Sequence, residues 1–156
     1  MLNKVDFPLT TSQISEFVLY KGYTSYFRLQ EALSDLTQSD LIRPETTHNR
    51  TLYHLTENGA ETILYFSNKI SPAIRKDIDD FLKEKQYDLK EEAAVKSDYY
   101  LNTNREYEVR CQIEENGSSL IDLKLTVPTE KEAEAIVSHW NTKSQEIYTL
   151  LLSNLL

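Results

Sequence analysis

Glycine and cysteine are scarce in this chain of 156 residues, and their scarcity excludes several kinds of site. The three glycines, Gly22, Gly59 and Gly117, lie too far apart to form a glycine-rich loop around a phosphate group. The single cysteine, Cys111, cannot form a disulfide bond within the chain. The three histidines do not have the spacing of a metal site. We therefore expect neither a metal ion nor a cofactor.

Long apolar segments are also missing. No apolar run approaches the roughly 20 residues that span a bilayer, and the apolar stretch at residues 150–156 is interrupted by Ser153 and Asn154. No charged segment followed by an apolar one precedes Phe7, so a secretory leader is not indicated. With the single cysteine, these absences predict a cytoplasmic protein that does not enter a membrane.

Positive charge is in short supply. The chain has 17 Lys and Arg residues against 25 Asp and Glu residues, a net charge of −8 at pH 7. Residues 1–70 contain six basic and eight acidic residues, whereas the remainder contains 11 and 17. Nonspecific affinity for nucleic acid comes mostly from neutralised phosphates, so this balance counts against strong nonspecific DNA binding.

Two short amphipathic helices are predicted within residues 11–38, with a turn at residues 21–24 between them. Thr11 or Ser12 can cap the first helix, and Gly22 gives the turn the backbone freedom that it needs. The arrangement is typical of a helix-turn-helix. Each helix has one apolar face to bury, formed by Ile14, Phe17 and Val18 in the first and by Leu29, Ala32, Leu33 and Leu36 in the second.

A β-hairpin wing is predicted after these helices, because the apolar period changes from 3.6 to 2. One strand begins near Leu41, and residues 52–55 form the second. Thr56 then stops the strand and can cap a further helix. Residues 53–59 (YHLTENG) resemble the signature with which winged-helix bacterial regulators leave the wing. Residues 9–66 are thus predicted to form a winged helix-turn-helix.

A linking helix is predicted next, because Ser71-Pro72 combines a capping residue with a proline at the first helical position. Its apolar stripe ends at about Lys85. From Ala93 the period is 2 again, which predicts three strands at residues 95–101, 106–114 and 119–127, with a hairpin turn at Asn116-Gly117. One face of this sheet is apolar and is formed by Tyr107, Val109, Cys111, Ile113, Ile121, Leu123, Leu125 and Val127.

A long C-terminal helix is predicted to cover that face. It begins with a capping box at residues 129–132. The predicted fold class is therefore α+β, with a winged helix at residues 1–70, a linking helix at residues 71–92, and a three-stranded antiparallel sheet backed by the long helix at residues 93–156, for dimerisation or sensing. The apolar stripe of the long helix consists of Ala133, Ile136, Val137, Trp140, Ile147, Leu150 and Leu151.

Four segments carry a resemblance to a known family: residues 3–10 (NKVDFPLT), 12–17 (SQISEF), 22–27 (GYTSYF) and 29–33 (LQEAL). The chain resembles the domain-of-unknown-function family 4364 of Gram-positive Firmicutes over nearly its whole length. The resemblance implies that the protein is a winged-helix transcriptional regulator. It does not identify a ligand, a DNA operator or a reaction.

The resemblance also implies a helix ahead of Asn3, of which only the last turn is present here. Two explanations are open. Either residues are missing ahead of Met1, or another element covers Ile14, Phe17 and Phe27 from that side.

The first predicted function is a transcriptional regulator that binds double-stranded DNA, with residues 25–38 inserted end-on into the major groove. Arg28 would contact guanine and Gln30 adenine, while Thr24 and Ser25 would contact phosphates. The candidates on the wing are Arg43, Thr47, His48, Asn49 and Arg50.

The alternative is a protein-interaction or dimerisation module that has a winged-helix shape and does not bind DNA. The acidic balance favours it. A continuous positive face over the three candidate arginines would support DNA binding, and interruption of that face by Glu31, Asp35 and Glu45 would support the alternative. No Ser/His/Asp set has local support, so we do not expect an enzyme.

A homodimer is predicted from the length of the C-terminal helix. At residues 130–156 it would be about 40 Å long, whereas a strand of about nine residues covers about 30 Å. Its overhanging end is too apolar to leave in water. The end could pair with a second copy or fold back on the winged helix. The predicted dimer contacts are Ile147, Tyr148, Leu151 and Leu155.

A small-molecule effector is a weaker hypothesis. Tyr99, Tyr107 and Trp140 would line its pocket between the sheet and the long helix, but aromatic residues at such spacings more often form packed core.

Overall fold

A computed structural model describes residues 1–48, 50–115 and 118–156. Within these residues the fold is α+β, with five α-helices and two three-stranded antiparallel sheets. The helices are α1 (Thr11–Tyr20), α2 (Tyr26–Gln38), α3 (Glu57–Phe66), α4 (Pro72–Ala94) and α5 (Glu130–Leu155). The strands are β1 (Leu9–Thr10), β2 (Ile42–Thr46), β3 (Thr51–Leu55), β4 (Val95–Leu101), β5 (Tyr107–Glu115) and β6 (Ser118–Val127). Short 3₁₀ helices lie at Leu2–Lys4 and Ser67–Lys69.

The chain divides into two compact units. The first contains residues 1–46 and 50–93, and the second contains residues 94–156 together with Thr47 and His48. Helix α4 ends at Ala94 and strand β4 begins at the next residue, so no loop separates them.

The sheet of the first unit has the strand order β1-β3-β2. Strand β1, which the sequence pattern did not indicate, places Leu9 opposite Tyr53 of β3. On the other side of β3, β2 pairs Ile42 with Leu55. Leu9 and Leu52 are fully buried, so the sheet forms part of the core.

The predicted cap of helix α1 was wrong, because Thr10 and not Thr11 or Ser12 is the N-cap. The Thr10 hydroxyl accepts a hydrogen bond from the Gln13 N–H (3.1 Å), and the Gln13 side-chain oxygen accepts one from the Thr10 N–H (2.9 Å). This reciprocal pair requires Glu or Gln three residues after the cap, and of the three candidates only Thr10 has one.

The predicted apolar face of α2 is only half covered. Leu29 and Leu33 are buried, but Ala32 and Leu36 are exposed. The two exposed residues line an open groove of about 340 Å³ between α2 and α3, which we call the α2–α3 groove. The prediction that the whole stripe is buried was therefore wrong, because no described residue fills this groove.

Helix α4 is longer than the sequence indicated, since it ends at Ala94 and not near Lys85. Leu82, Leu89 and Ala93 are its buried residues, at spacings of seven and four that keep them on one face. The many charged residues between them obscured this continuation in the sequence.

The second unit has the predicted architecture: an antiparallel sheet of order β4-β5-β6, covered by α5. The capping box is confirmed, because Thr129 and Glu132 bond reciprocally at the start of α5. Val109, Cys111 and Ile113 are buried beneath the helix, as predicted. The predicted turn at Asn116-Gly117 lies outside the described residues.

Two residues of the predicted apolar faces are exposed in this unit. Leu125 is 44% exposed because it lies on the edge strand β6, whereas α5 packs mainly on β4 and β5. Leu150 is 61% exposed because it points away from the core to which Ile147 and Tyr148 are packed.

Gly59 marks a close approach between α3 and the segment before β2. A Cβ atom at this position would lie 2.0 Å from the carbonyl oxygen of Leu41 and 2.9 Å from the Leu55 side chain. Since the first of these atoms belongs to the main chain, it cannot move aside without displacing β2.

We predict that Gly59→Ala lowers the free energy of unfolding by about 2 kcal/mol or more, because the added methyl group overpacks this contact. Gly22→Asn is the control, since nothing lies within 4 Å of position 22 and asparagine tolerates its φ of +68°. Urea denaturation followed by circular dichroism measures both. Equal midpoints for Gly59→Ala and the parent would contradict the prediction.

Candidate nucleic-acid interface

The N-terminus of α2 presents the first group of candidate residues. Ser25 occupies the N-cap position, but its side chain makes no capping hydrogen bond. Ser25 is exposed and Thr24 is half-buried. Both hydroxyl groups therefore lie at the end of a helix where main-chain N–H groups are also free to bind an anion.

Arg28 is the exposed cation of this helix, and no described residue forms an ion pair with it. Glu31 and Asp35 are also exposed and lie three and seven positions further on, so they share its face of α2. The positive charge of Arg28 is thus adjacent to two negative charges.

Gln30 is less accessible than the sequence indicated. Its side-chain nitrogen is shielded from solvent and makes no hydrogen bond to the described residues. To contact a base, this side chain must turn outward. The buried amide leaves an unsatisfied donor that such a rotation would relieve.

On the hairpin, Arg43 is exposed and lies opposite His54 in the β2–β3 ladder. Glu45 follows two residues later on the same face and binds the His54 ring at 2.8 Å. A carboxylate therefore interrupts the positive face here as well.

Arg50 is held by the protein itself. It is half-buried, and its guanidinium donates a hydrogen bond to the main-chain carbonyl of Glu92 at 2.7 Å. Burial lowers the pKa of Arg50, although Glu92 and Glu45 oppose the shift. This side chain contributes to packing and is less available to a phosphate than an exposed arginine.

The remaining wing candidates differ in accessibility. His48 belongs to the second unit, where its ring stacks on Tyr99 with centroids 4.1 Å apart and its Nδ1 atom contacts the carboxylate of Asp98. Thr47 is half-buried. Asn49 lies outside the described residues.

Exposed aromatic residues were missed by the sequence analysis. One of the two explanations left open by the sequence was that another element covers Ile14, Phe17 and Phe27, but Phe27 is 82% exposed, whereas the other two are buried. It precedes the buried Leu29 by two positions, about 200° around the helix, and therefore points outward. Its ring contacts Tyr26, which is also exposed, beside Arg28. Their outward positions on α2 could have indicated a contact surface.

The predicted dimer residues fall into two groups. Ile147, Tyr148 and Leu151 are half-buried, and the first two pack against the core of the second unit. Leu155 is 79% exposed. Of the four, only Leu155 is exposed.

The three residues proposed to line an effector pocket belong to one hydrophobic cluster. The rings of Tyr99 and Tyr107 lie 6.1 Å apart, and Trp140 is buried with its indole N–H bonded to the Gln112 carbonyl at 3.2 Å. This is the arrangement of packed core residues.

Among residues 1–48, 50–115 and 118–156, no group of three or more His, Cys, Asp and Glu residues could hold a metal ion. No helix of this part of the chain has both the length and the apolar character of a membrane span.

A family model described as a domain of unknown function (DUF4364) matches residues 1–155. The chain belongs to this family. The match covers both units, and the family description assigns no activity. Comparison with curated proteins found no match, and comparison with solved structures found none either.

We predict that Arg50→Ala lowers the free energy of unfolding by about 1–3 kcal/mol, because the Glu92 carbonyl loses a charged donor in a half-buried position. Arg43→Ala removes the same side chain from an exposed position and should change stability by less than about 0.5 kcal/mol. Thermal denaturation of the two variants side by side measures the difference. Equal losses of stability would show that Arg50 has no structural role.

Cys111 supplies a pH-dependent prediction. Burial raises the pKa of its thiol from the ordinary 9.0 to about 11. Because the unfolded chain loses this proton first, stability is unaffected below about pH 9 and falls as the pH rises toward 11.

At pH 8 a thiol reagent should label Cys111 only after denaturant is added. Rapid labelling of the native protein would contradict the burial of this thiol.

Proposed function

We propose that this protein is a winged-helix transcriptional regulator that binds double-stranded DNA as a homodimer in the cytoplasm. One observation carries the proposal: α1 and α2 are followed directly by the β2–β3 hairpin, and β1 joins that hairpin in the order β1-β3-β2. A helix pair with an attached hairpin is an arrangement that can place one helix in the major groove and the hairpin on the adjacent backbone.

In this proposal α2 enters the groove by its N-terminal end. Arg28 donates to guanine, and Thr24 and Ser25 bind a phosphate. Phe27 stands beside Arg28 and can contact a thymine methyl group. Arg43 binds a phosphate from the hairpin. End-on insertion keeps the negative charges further along α2 away from the DNA backbone.

Few positively charged side chains are available to bind DNA in this proposal. Arg28 and Arg43 are the exposed arginines among the candidates, and both have acidic neighbours. Binding by a protein with few phosphate contacts should have a shallow salt dependence and should depend strongly on base sequence.

We predict that the intact protein enriches specific sequences from a random pool of double-stranded DNA at about 50 mM salt, and that binding persists at about 200 mM salt with reduced affinity.

Arg28→Ala should weaken binding by about 1–3 kcal/mol and relax specificity at one position. Arg43→Ala should weaken binding to all sequences and reduce the salt slope by about 1.

Lys83→Ala is the matched control, because it removes one exposed positive charge from α4, outside the candidate residues. It should leave binding unchanged. The absence of any enriched sequence at either salt concentration would reject DNA binding for this protein.

A second candidate function is a protein-interaction module with the same fold and no DNA binding. The observation that favours it is the interruption of the positive face by Glu31, Asp35 and Glu45, together with the exposed Phe27 next to Arg28 on α2. An exposed aromatic residue bordered by both signs of charge is common at protein interfaces. Failure of the DNA selection with a folded protein would leave this candidate as the better explanation.

A further inference from the structure

The α2–α3 groove is an apolar surface that the first unit leaves open. Leu29 and Leu33 form its floor, Ala32 and Leu36 form one wall, and Ile63 and Phe66 form the other. On α3 the lining residues Gly59, Thr62, Ile63 and Phe66 recur at helical spacing, so this helix presents a complete stripe to the groove. No charged side chain of the described residues lines it. Its shape and chemistry suit the apolar side of a helix.

The end of α5 is the matching surface on the same chain. Residues 147–156 contain no charged residue, although charged residues make up 27% of the sequence. Leu150, Leu152, Leu155 and Leu156 are all exposed there. Soluble proteins seldom expose such a continuous group of large apolar side chains without a partner.

The polar residues of this end would not oppose burial. The Ser153 hydroxyl and the Asn154 amide both donate to the carbonyl of Leu150, at 3.0 and 2.7 Å. Their donors are therefore satisfied within the helix. Burying a polar group that already has a hydrogen bond carries little of the cost of burying an unpaired one.

We propose that the end of α5 from one copy of the protein occupies the α2–α3 groove of a second copy. Both surfaces are apolar and neither carries a charged side chain, and each chain supplies one of each. Reciprocal exchange across a two-fold axis therefore fills both grooves and covers both helix ends in a closed dimer. This inference rests on the homodimer of the proposed function and does not depend on DNA binding.

Two variants test the two sides of the contact. Leu155→Glu places a charge on the helix end, and Leu36→Lys places one on the groove wall; both positions are already exposed, so the fold should survive. Each should weaken dimerisation by about tenfold or more in sedimentation equilibrium of the full chain. Leu64→Glu is the control, because Leu64 is an exposed residue of α3 that does not line the groove. It should leave dimerisation unchanged.

Mixing the two variants gives the decisive result. The Leu155→Glu copy retains an intact groove and the Leu36→Lys copy retains an intact helix end, so a mixed dimer contains one undisturbed contact and one Lys–Glu pair. We expect the mixture to form dimers at concentrations at which each variant alone is monomeric. If circular dichroism shows that Leu36→Lys is unfolded, Ala32→Lys tests the same wall.

Three outcomes would overturn the inference: a monomeric parent protein at micromolar concentration, an unchanged dimer in the groove variant, or no recovery on mixing. The second outcome would show that the dimer forms without the α2–α3 groove. DNA selection measured on the parent protein keeps this inference separate from DNA binding, since a monomeric parent that still selects DNA would reject the dimer and the groove contact but not DNA binding.

Discussion

The Gln13 side chain is the contact on which the first unit depends most. It is 2% exposed, and its oxygen closes the capping box of α1 through the Thr10 N–H. Its nitrogen donates to the Leu89 carbonyl at 3.2 Å and to the Glu92 carboxylate at 2.8 Å. One buried amide thus joins the start of α1 to the last turns of α4. A buried amide with these partners fixes a single arrangement, because moving it away would leave the Gln13 amide and its buried main-chain partners without hydrogen bonds.

The same turn of α4 constrains the hairpin. The Glu92 main-chain carbonyl accepts from Arg50, which stands immediately before β3, while the Glu92 side chain accepts from Gln13. The start of α1 and the start of β3 are therefore held to the same residue. This explains why an arginine that the sequence places among the surface candidates is half-buried. The Arg50 guanidinium is engaged by the Glu92 carbonyl and is therefore less available to a ligand.

Much of the fold could be predicted from local patterns. The alternation of Val109, Cys111 and Ile113, and the Thr129 and Glu132 pair, each specify an element through neighbouring residues alone. The features that could not be predicted depend on contacts between residues that are distant in the sequence. Strand β1 has only two residues and exists because β3 pairs with it. The real cap of α1 was missed although Gln13 marks it, because the serine and threonine beside it were judged singly.

The candidate site was harder to predict for the same reason. Whether Arg28, Arg43 and Arg50 are free or engaged depends on what lies opposite them in space, and only the last is bound by a residue 42 positions away. Likewise, the periodicity of α2 identifies an apolar face, but it cannot indicate that half of the face remains uncovered. Exposure is a property of the surrounding chain and is not encoded in the helix itself.

The direct junction between α4 and β4 has a practical consequence. Ala93 and Val95 are both buried, in the cores of different units, and only Ala94 stands between them. A protease needs several exposed and extended residues to cleave a chain, and this junction offers none. The two units therefore cannot be released by limited digestion here, and a genetic cut at this point would place a new chain end inside a core. A cut at this junction would also not separate the units completely, because Thr47 and His48 belong to the second unit and lie between two segments of the first.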